Sequence, residues 1–279
     1  MRADTLIRML GSKGATMTDP VLVEERPGWR LIRLNRPDKL NAMNESMLDA
    51  LIAVFDAIEI DRSCHAALIT GEGRGFCAGQ ELSPSVMPGP GGPPDLGALA
   101  QRYHHALARR IRAARVPVIA AVNGVAAGAG ASLALACDIV LAGHSARFVQ
   151  AFVRIGLVPD TGSSFYLPRV VGEARARALL LTGDAVPAVQ AAEWGMIWKA
   201  VDDASLMQEA EALTQRLAQG PAPALARIKQ LLAASFSNDL DTQLDLERDL
   251  QREAGRTEDF AEGVRAFLEK RPAAFSGLE

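Results

Sequence analysis

Cysteine, aromatic residues and one-sided charge are all scarce in this chain of 279 residues. Three cysteines without a CxxC pair provide neither a disulfide framework nor a thiol zinc motif, and the four histidines have no ligand spacing, so we expect no metal. The net charge of −3, with both signs mixed, argues against a nucleic-acid partner or a polybasic membrane surface. No apolar run is long enough to span a bilayer. We therefore expect a cytoplasmic protein with neither a membrane nor a nucleic-acid partner.

Hydrophobic periodicity divides the chain into three parts. Residues 1–17 lack the apolar core of a signal peptide and are predicted to be a disordered leader. Strand patterns alternate with helix patterns from Val21 to Val201, which predicts an α/β core over residues 18–203. Only helix patterns follow in residues 204–279, and their apolar faces are expected to pack on the core or on a second subunit. The Pro/Gly-rich stretch 84–97 is predicted to be a long surface loop.

Two glycine-rich segments are candidates for a functional site. In the first, a predicted strand up to Val122 is followed by Asn123-Gly124 and by a helix that starts with the small residues 128–132. Small residues at such a junction let a ligand approach the backbone, and the free N–H groups of a helix start suit a negative charge. Tight helix packing would explain the same residues. The second segment, GEGRGFCAGQEL at 71–82, follows another short predicted strand.

Three segments in order resemble the enoyl-CoA hydratase/isomerase (crotonase) family: NRPDKLNA at 35–42, GRGFCAGQEL at 73–82 and AAVNGVAAGAGASLALACDIVLA at 120–142. The resemblance runs from about Val21 to Phe275. It implies an α/β fold, a crotonase-like spiral of ββα units with a C-terminal all-helical trimerisation region. It also implies an acyl-CoA thioester substrate and a homotrimer or hexamer. No cofactor is expected, because coenzyme A is part of the substrate.

The resemblance also assigns binding roles to residues at matching positions. The backbone N–H groups of Gln80 and Ala129 would form the oxyanion hole that polarises the thioester carbonyl. Residues of the first two motifs would hold coenzyme A, and a pair near the C-terminus would reach the coenzyme A of a neighbouring subunit. The first group comprises Lys39, Leu40, Ala42, Ala78 and Leu82, and the pair is Phe267 and Lys270. Without the resemblance, the two lysines would simply be solvated surface residues.

Acid and base residues distinguish the reactions within this family. Hydratases resemble one another in having two glutamates, and this chain has Ser132 and Phe152 at those positions. Ordinary hydration is therefore not expected, and Phe152 becomes a candidate substrate contact. One carboxylate remains, Asp160 in the apolar segment IGLVPDTGSSF, and we predict that it is the catalytic base. Asp160 could instead cap the helix that follows, but the resemblance favours the base.

An aspartate at this position resembles two branches of the family. The first contains the ring-1,2-epoxyphenylacetyl-CoA and Δ3,Δ2-enoyl-CoA isomerases, and residues 193–203 and 241–271 strengthen that likeness. The second contains the 4-chlorobenzoyl-CoA dehalogenases, for which His105 would be the water-activating base. Gln80 and Phe152 depart from the dehalogenase pattern. We therefore predict an isomerase, with hydration, dehalogenation and non-catalytic acyl-CoA binding as the alternatives.

Overall fold

Parallel strand pairing dominates the two sheets of this protein. The computed structural model describes residues 19–83, 86–87 and 92–277, so the predicted leader and part of the 84–97 loop lie outside the described residues. Within these ranges, a six-stranded sheet has the order β1-β2-β3-β5-β7-β10 and a four-stranded sheet has the order β4-β6-β8-β9. The strands are β1 Val21–Arg26, β2 Trp29–Leu34, β3 Ala66–Gly71, β4 Gly75–Cys77, β5 Val118–Val122, β6 Val125–Ala127, β7 Ile139–Gly143, β8 Arg147–Val149, β9 Ala185–Pro187 and β10 Lys199–Val201.

The helices follow the strands in a repeating order. They are α1 Glu45–Ile60, α2 Leu96–Leu99, α3 His105–Ala113, α4 Ala129–Ala136, α5 Ser163–Val171, α6 Glu173–Thr182, α7 Ala188–Glu193, α8 Leu206–Ala218, α9 Ala222–Ala234, α10 Leu240–Ala254 and α11 Glu258–Glu269. A π-turn, Ala100–His104, joins α2 to α3. Three times in succession, a strand of the large sheet is followed by a short strand of the small sheet and then by helix, as in β5-β6-α4. This repetition is the predicted spiral of ββα units.

The core lies on both faces of the large sheet. Both β3 and β5 are buried along their whole length, which fits the continuous rather than alternating apolar runs at 66–69 and 118–122. One face packs against α1, α3 and α4, and the other is covered by α8. Asn44 caps α1 by accepting a hydrogen bond from the backbone N–H of Met47, as its position before the helix predicts.

The region after β10 is helical, as the sequence predicts. Its first helix, α8, packs on the large sheet, and α9 is tied to the core by an ion pair between Lys229 Nζ and Asp138 Oδ2 at 2.6 Å. The helices α10 and α11 leave large apolar side chains exposed. These are Leu240, Leu244, Phe260, Val264, Phe267 and Leu268. No helix in the described ranges is both long and apolar enough to cross a membrane.

Candidate active site

A largely apolar cavity of about 350 Å³ lies where the second strands and the helix starts of successive units meet. Six of the predicted site residues are in its walls: Ala78, Gln80, Leu82, Ala129, Phe152 and Asp160. The other lining residues are Glu45, Leu48, Gly79, Val86, Leu96, Leu99, Ala100, Tyr103, His104, Gly128, Ala151, Arg154, Ile155 and Leu157. Segments more than 80 positions apart in the chain therefore share one cavity.

The backbone N–H of Gln80 points away from the strand-like contact that fixes its loop. Met43 donates its N–H to Gly79 O at 2.7 Å and accepts the N–H of Glu81 at 2.9 Å. Because successive N–H groups of an extended chain point to opposite sides, the N–H of Gln80 faces the other way. Among the described residues it donates no hydrogen bond.

The N–H of Ala129 is the first of helix α4 and lies beside the Gln80 loop. Within the described ranges it too donates no hydrogen bond, as expected at a helix start. Both N–H groups follow a glycine with positive φ, +95° at Gly79 and +51° at Gly128. A side chain on Gly79 would lie 2.7 Å from Ala127 O and 3.5 Å from the nitrogen of Ala129, so the two loops touch. Two free donors side by side suit an oxyanion hole.

Asp160 reaches the cavity from the loop between a 3₁₀ turn, Ala151–Ile155, and α5. Its Oδ1 accepts a hydrogen bond from Thr161 Oγ1 at 2.8 Å. Helix α5 begins after Gly162, and no side chain caps it. Asp160 therefore does not have the helix-capping role that was the alternative to a base. Thr161 is buried with φ +53°, a costly conformation for a β-branched residue, and such strain is typical of functional loops.

The two positions where hydratases have glutamate carry no acid. Phe152 is buried in the cavity wall, and its ring lies 3.9 Å from where a side chain on Gly128 would stand. Ser132 is fully buried and donates its hydroxyl to Gly128 O at 3.1 Å, which makes it a packing residue of α4. Burial raises the pKa of the neighbouring Cys77 thiol to about 12, so this cysteine is no nucleophile at neutral pH.

Four polar residues of the cavity were missed as site residues by the sequence reasoning: Glu45, Tyr103, His104 and Arg154. Tyr103 donates its hydroxyl to Glu45 Oε2 at 3.1 Å, and His104 Nε2 lies 3.0 Å from Gln80 Oε1. Helical periodicity could have placed Tyr103 in line with Leu99. His104 lies in the cavity wall because the π-turn contains one extra residue, and the helical period of the sequence does not predict such an insertion.

His105, the base that the dehalogenase alternative requires, is half-buried and is not among the residues of the cavity wall. The geometry therefore gives that alternative no support.

The first motif lies next to the cavity and supports it from outside. Leu40 O accepts the N–H of Ala78 at 2.9 Å, and the side chain of Leu40 lies against Gly75. Ala42 O accepts a hydrogen bond from Arg36, whose guanidinium also pairs with Glu81 at 2.8 Å. Lys39 is exposed on the adjoining turn. These contacts join the two predicted coenzyme A loops, and the contact of Lys39, Leu40 and Ala42 with coenzyme A stays a prediction.

Phe267 and Lys270 lie at the end of α11, outside the cavity of their own chain. Phe267 is 83% exposed, and Lys270 ends the helix in a left-handed conformation with φ +55°. The pair does not reach the cavity of its own chain, and its role toward another subunit stays a prediction.

Comparison with known proteins identifies the class. Residues 24–278 match the family model described as enoyl-CoA hydratase/isomerase, and the chain belongs to this family. It is 49% identical over 261 residues to the 1,2-epoxyphenylacetyl-CoA isomerase of Escherichia coli, covering 94% of this chain and 100% of that protein. A Rhodobacter capsulatus protein named as a probable enoyl-CoA hydratase is 44% identical over 90% of this chain and 95% of its own length.

Two further relatives carry the name hydratase. The 2,3-dehydroadipyl-CoA hydratase of Escherichia coli is 36% identical over 92% of this chain and 98% of its own length. The crystal structure of an enoyl-CoA hydratase from Bacillus anthracis superposes with a TM-score of 0.87 at 28% identity, covering 93% of this chain and 100% of the other. The fold and the family are thus shown, whereas relatives with different names leave the particular reaction open.

Proposed function

We propose that this protein is an acyl-CoA isomerase that acts by proton removal next to the thioester and stabilisation of the resulting enolate. The substrates are 3-enoyl-CoA esters, 1,2-epoxyphenylacetyl-CoA, or both. The observation that carries the proposal is a single cavity that contains two free backbone donors, Gln80 and Ala129, and the carboxylate of Asp160. Phe152 and Ser132 leave that cavity without the acid pair of a hydratase.

The thioester oxygen binds between the N–H groups of Gln80 and Ala129. Asp160 removes a proton from C2 of a 3-enoyl-CoA, and the negative charge moves to the oxygen between the two donors. The protonated Asp160 then returns the proton at C4, so that the double bond becomes conjugated with the thioester. With the epoxide, the C–C bond shared by the two rings breaks to give the seven-membered oxepin ring, and Asp160 returns the proton that it takes from C2 to a carbon of that ring. The 49% identity to an epoxyphenylacetyl-CoA isomerase supports this second substrate.

Hydration is the second candidate, because several relatives are named hydratases and because Glu45 provides a second carboxylate in the cavity wall. Glu45 is exposed at the start of α1 and accepts the hydroxyl of Tyr103. Water addition needs one group to activate water and another to protonate C2 of the substrate. The loop carboxylate and the two backbone donors suffice for isomerisation, which we therefore prefer.

The test is an isomerase assay with 3-enoyl-CoA esters and the phenylacetyl epoxide on the wild type and on Asp160→Asn. The substitution keeps the shape of the side chain and removes the base. We expect turnover to fall by about 10²–10⁴, as for loss of a general base, with the fold and the affinity for a saturated CoA ester retained. Full activity of Asp160→Asn would overturn the assignment of the base. Tight binding without turnover of any substrate by the wild type would instead favour a non-catalytic acyl-CoA-binding protein.

A further inference from the structure

His104 occupies a cavity position that the proposed proton transfer does not use. It ends the π-turn, in which the N–H of His105 donates to Ala100 O, five residues back. π-turns cost helix stability and occur frequently at functional sites. This one brings both Tyr103 and His104 into the cavity wall, and His104 is only 5% exposed.

The contacts of His104 select one tautomer of the neutral ring. Nε2 lies 3.0 Å from Gln80 Oε1, and the amide nitrogen of Gln80 donates to Glu81 O at 3.4 Å, which orients the amide with its oxygen toward the ring. Because this oxygen only accepts, Nε2 carries the hydrogen and donates it. Nδ1 is buried and has no hydrogen-bond partner in the described part of the chain. A proton on Nδ1 would therefore be left without an acceptor.

The surroundings of the ring keep it neutral. Burial lowers the pKa of His104 below its ordinary value of 6.5, and the nearby His105 lowers it further, while the charge of Asp160 acts in the opposite direction. The other ionisable groups in the cavity walls are Glu45, which holds the Tyr103 hydroxyl, and Arg154. Burial has the largest effect, so at neutral pH an uncharged donor faces Gln80.

We propose that His104 is a positioning residue: its Nε2–H holds the side chain of Gln80 against the cavity wall and so fixes the residue whose backbone N–H polarises the thioester. The inference rests on the proposed function, because it assumes that Gln80 is one of the two oxyanion donors. Without this bond, the Gln80 side chain can adopt other rotamers, and the loop that carries the donor loses a contact to the π-turn. In this proposal the imidazole does not take up the transferred proton.

A pH dependence follows from this arrangement. As the pH falls through the lowered pKa of His104, the ring gains a positive charge beside Asp160 and a buried Nδ1–H without an acceptor. The positive charge stabilises the carboxylate, which becomes a weaker base toward the substrate. Activity should therefore decline on an acid limb with a midpoint below pH 6.5, and this limb should depend on His104.

The test compares His104→Phe, which keeps the ring but removes the donor, with His104→Gln, whose amide provides a donor again. We expect His104→Phe to lower kcat by about threefold to tenfold with little change in KM, as for loss of one hydrogen bond, and His104→Gln to recover most of it. The contribution of His104 to the acid limb should be absent from both variants. His105→Gln, one residue further along the chain and outside the cavity wall, is the matched control: it should keep the wild-type kcat at neutral pH, while its acid limb should move to higher pH because His105 no longer lowers the pKa of His104.

A second readout does not depend on turnover. The infrared carbonyl stretch of a bound saturated CoA thioester reports how strongly the two N–H groups polarise it, and it can be measured in the Asp160→Asn background. His104→Phe should bring this frequency back toward the value of the free thioester, and His104→Gln should not. An unchanged frequency and kcat in His104→Phe, or equal losses in both variants, would overturn the positioning role. If no substrate is turned over but the frequency still responds to His104, the proposed reaction fails while the positioning role holds.

Discussion

Gly79 connects the two loops that provide the proposed oxyanion donors, and a methyl group there tests the whole arrangement. Its φ of +95° favours glycine, and an added Cβ would lie 2.7 Å from the carbonyl oxygen of Ala127. That distance is below any normal contact, and the contacted atom belongs to the backbone, so one loop has to move. The Gln80 N–H and the start of α4 at Ala129 lie on either side of this contact.

The Gly79→Ala substitution should therefore act on catalysis more strongly than on folding. A left-handed conformation costs a non-glycine residue about 1–2 kcal/mol of stability. Displacement of one oxyanion donor costs about 2.7–4 kcal/mol of transition-state stabilisation, a factor of about 10²–10³ in kcat. The assay is steady-state isomerisation of a 3-enoyl-CoA ester, with the melting temperature and the circular dichroism spectrum recorded on the same preparations.

Gly195→Ala is the matched control for backbone strain. Gly195 has φ +73°, lies outside the cavity, and an added Cβ there would meet its nearest neighbour, Val170 O, at an ordinary 3.6 Å. Because alanine is strained at this positive φ, Gly195→Ala should lose about as much stability as Gly79→Ala loses through its own φ. Its kcat should stay at the wild-type value. If Gly79→Ala keeps kcat within a few-fold of the wild type while it melts like Gly195→Ala, the Gly79 contact does not set the donor geometry, and the reasoning is refuted.

Two further predictions concern the reaction and the assembly. Hydration of crotonyl-CoA should be at least about 10²-fold slower than isomerisation, because Phe152 and Ser132 provide no acid–base pair. Rapid hydration would mean that Glu45 or another group supplies the missing acid. The exposed apolar side chains of α10 and α11 should be buried in a homotrimer or hexamer, which sedimentation equilibrium would detect. The double substitution Phe267→Glu and Leu268→Glu should lower the measured mass. A wild-type monomer at micromolar concentration would contradict the proposal.

The sequence predicted most of the elements because their signals are local. Asn44 before an apolar period of 3.6 locates α1, and the fully apolar run Val118–Val122 indicates a buried strand. The short strands β4 and β6 lie in the glycine-rich segments and are not predicted, because three residues are too few to show a period that distinguishes strand from loop. They become strands only by pairing with each other and with β8.

The site was predictable to the extent that backbone geometry defines it. Gln80 and Ala129 could be located because glycines precede them and because the motifs resemble a known family. His104 could not, because its place in the wall depends on the inserted residue of the π-turn and on the distance to Gln80, neither of which leaves a sequence period. The role of Phe267 and Lys270 depends on a second chain and remains a prediction.

The proposed donors and the proposed base come from different segments of the chain. This separation would allow relatives with the same fold to catalyse different reactions. The proposed electrophilic half consists of backbone N–H groups, which side-chain substitution cannot remove as long as Gly79 and Gly128 keep their conformations. The proposed base comes from a separate loop, where the side chain of Asp160 accepts a hydrogen bond from Thr161 and does not cap the helix that follows. An acid at position 132 or 152 would change the proton chemistry without disturbing the donors. Here Ser132 is bound to Gly128 O and Phe152 fills the wall, so in the proposed reaction Asp160 both removes the proton and returns it, and the product is an isomer of the substrate.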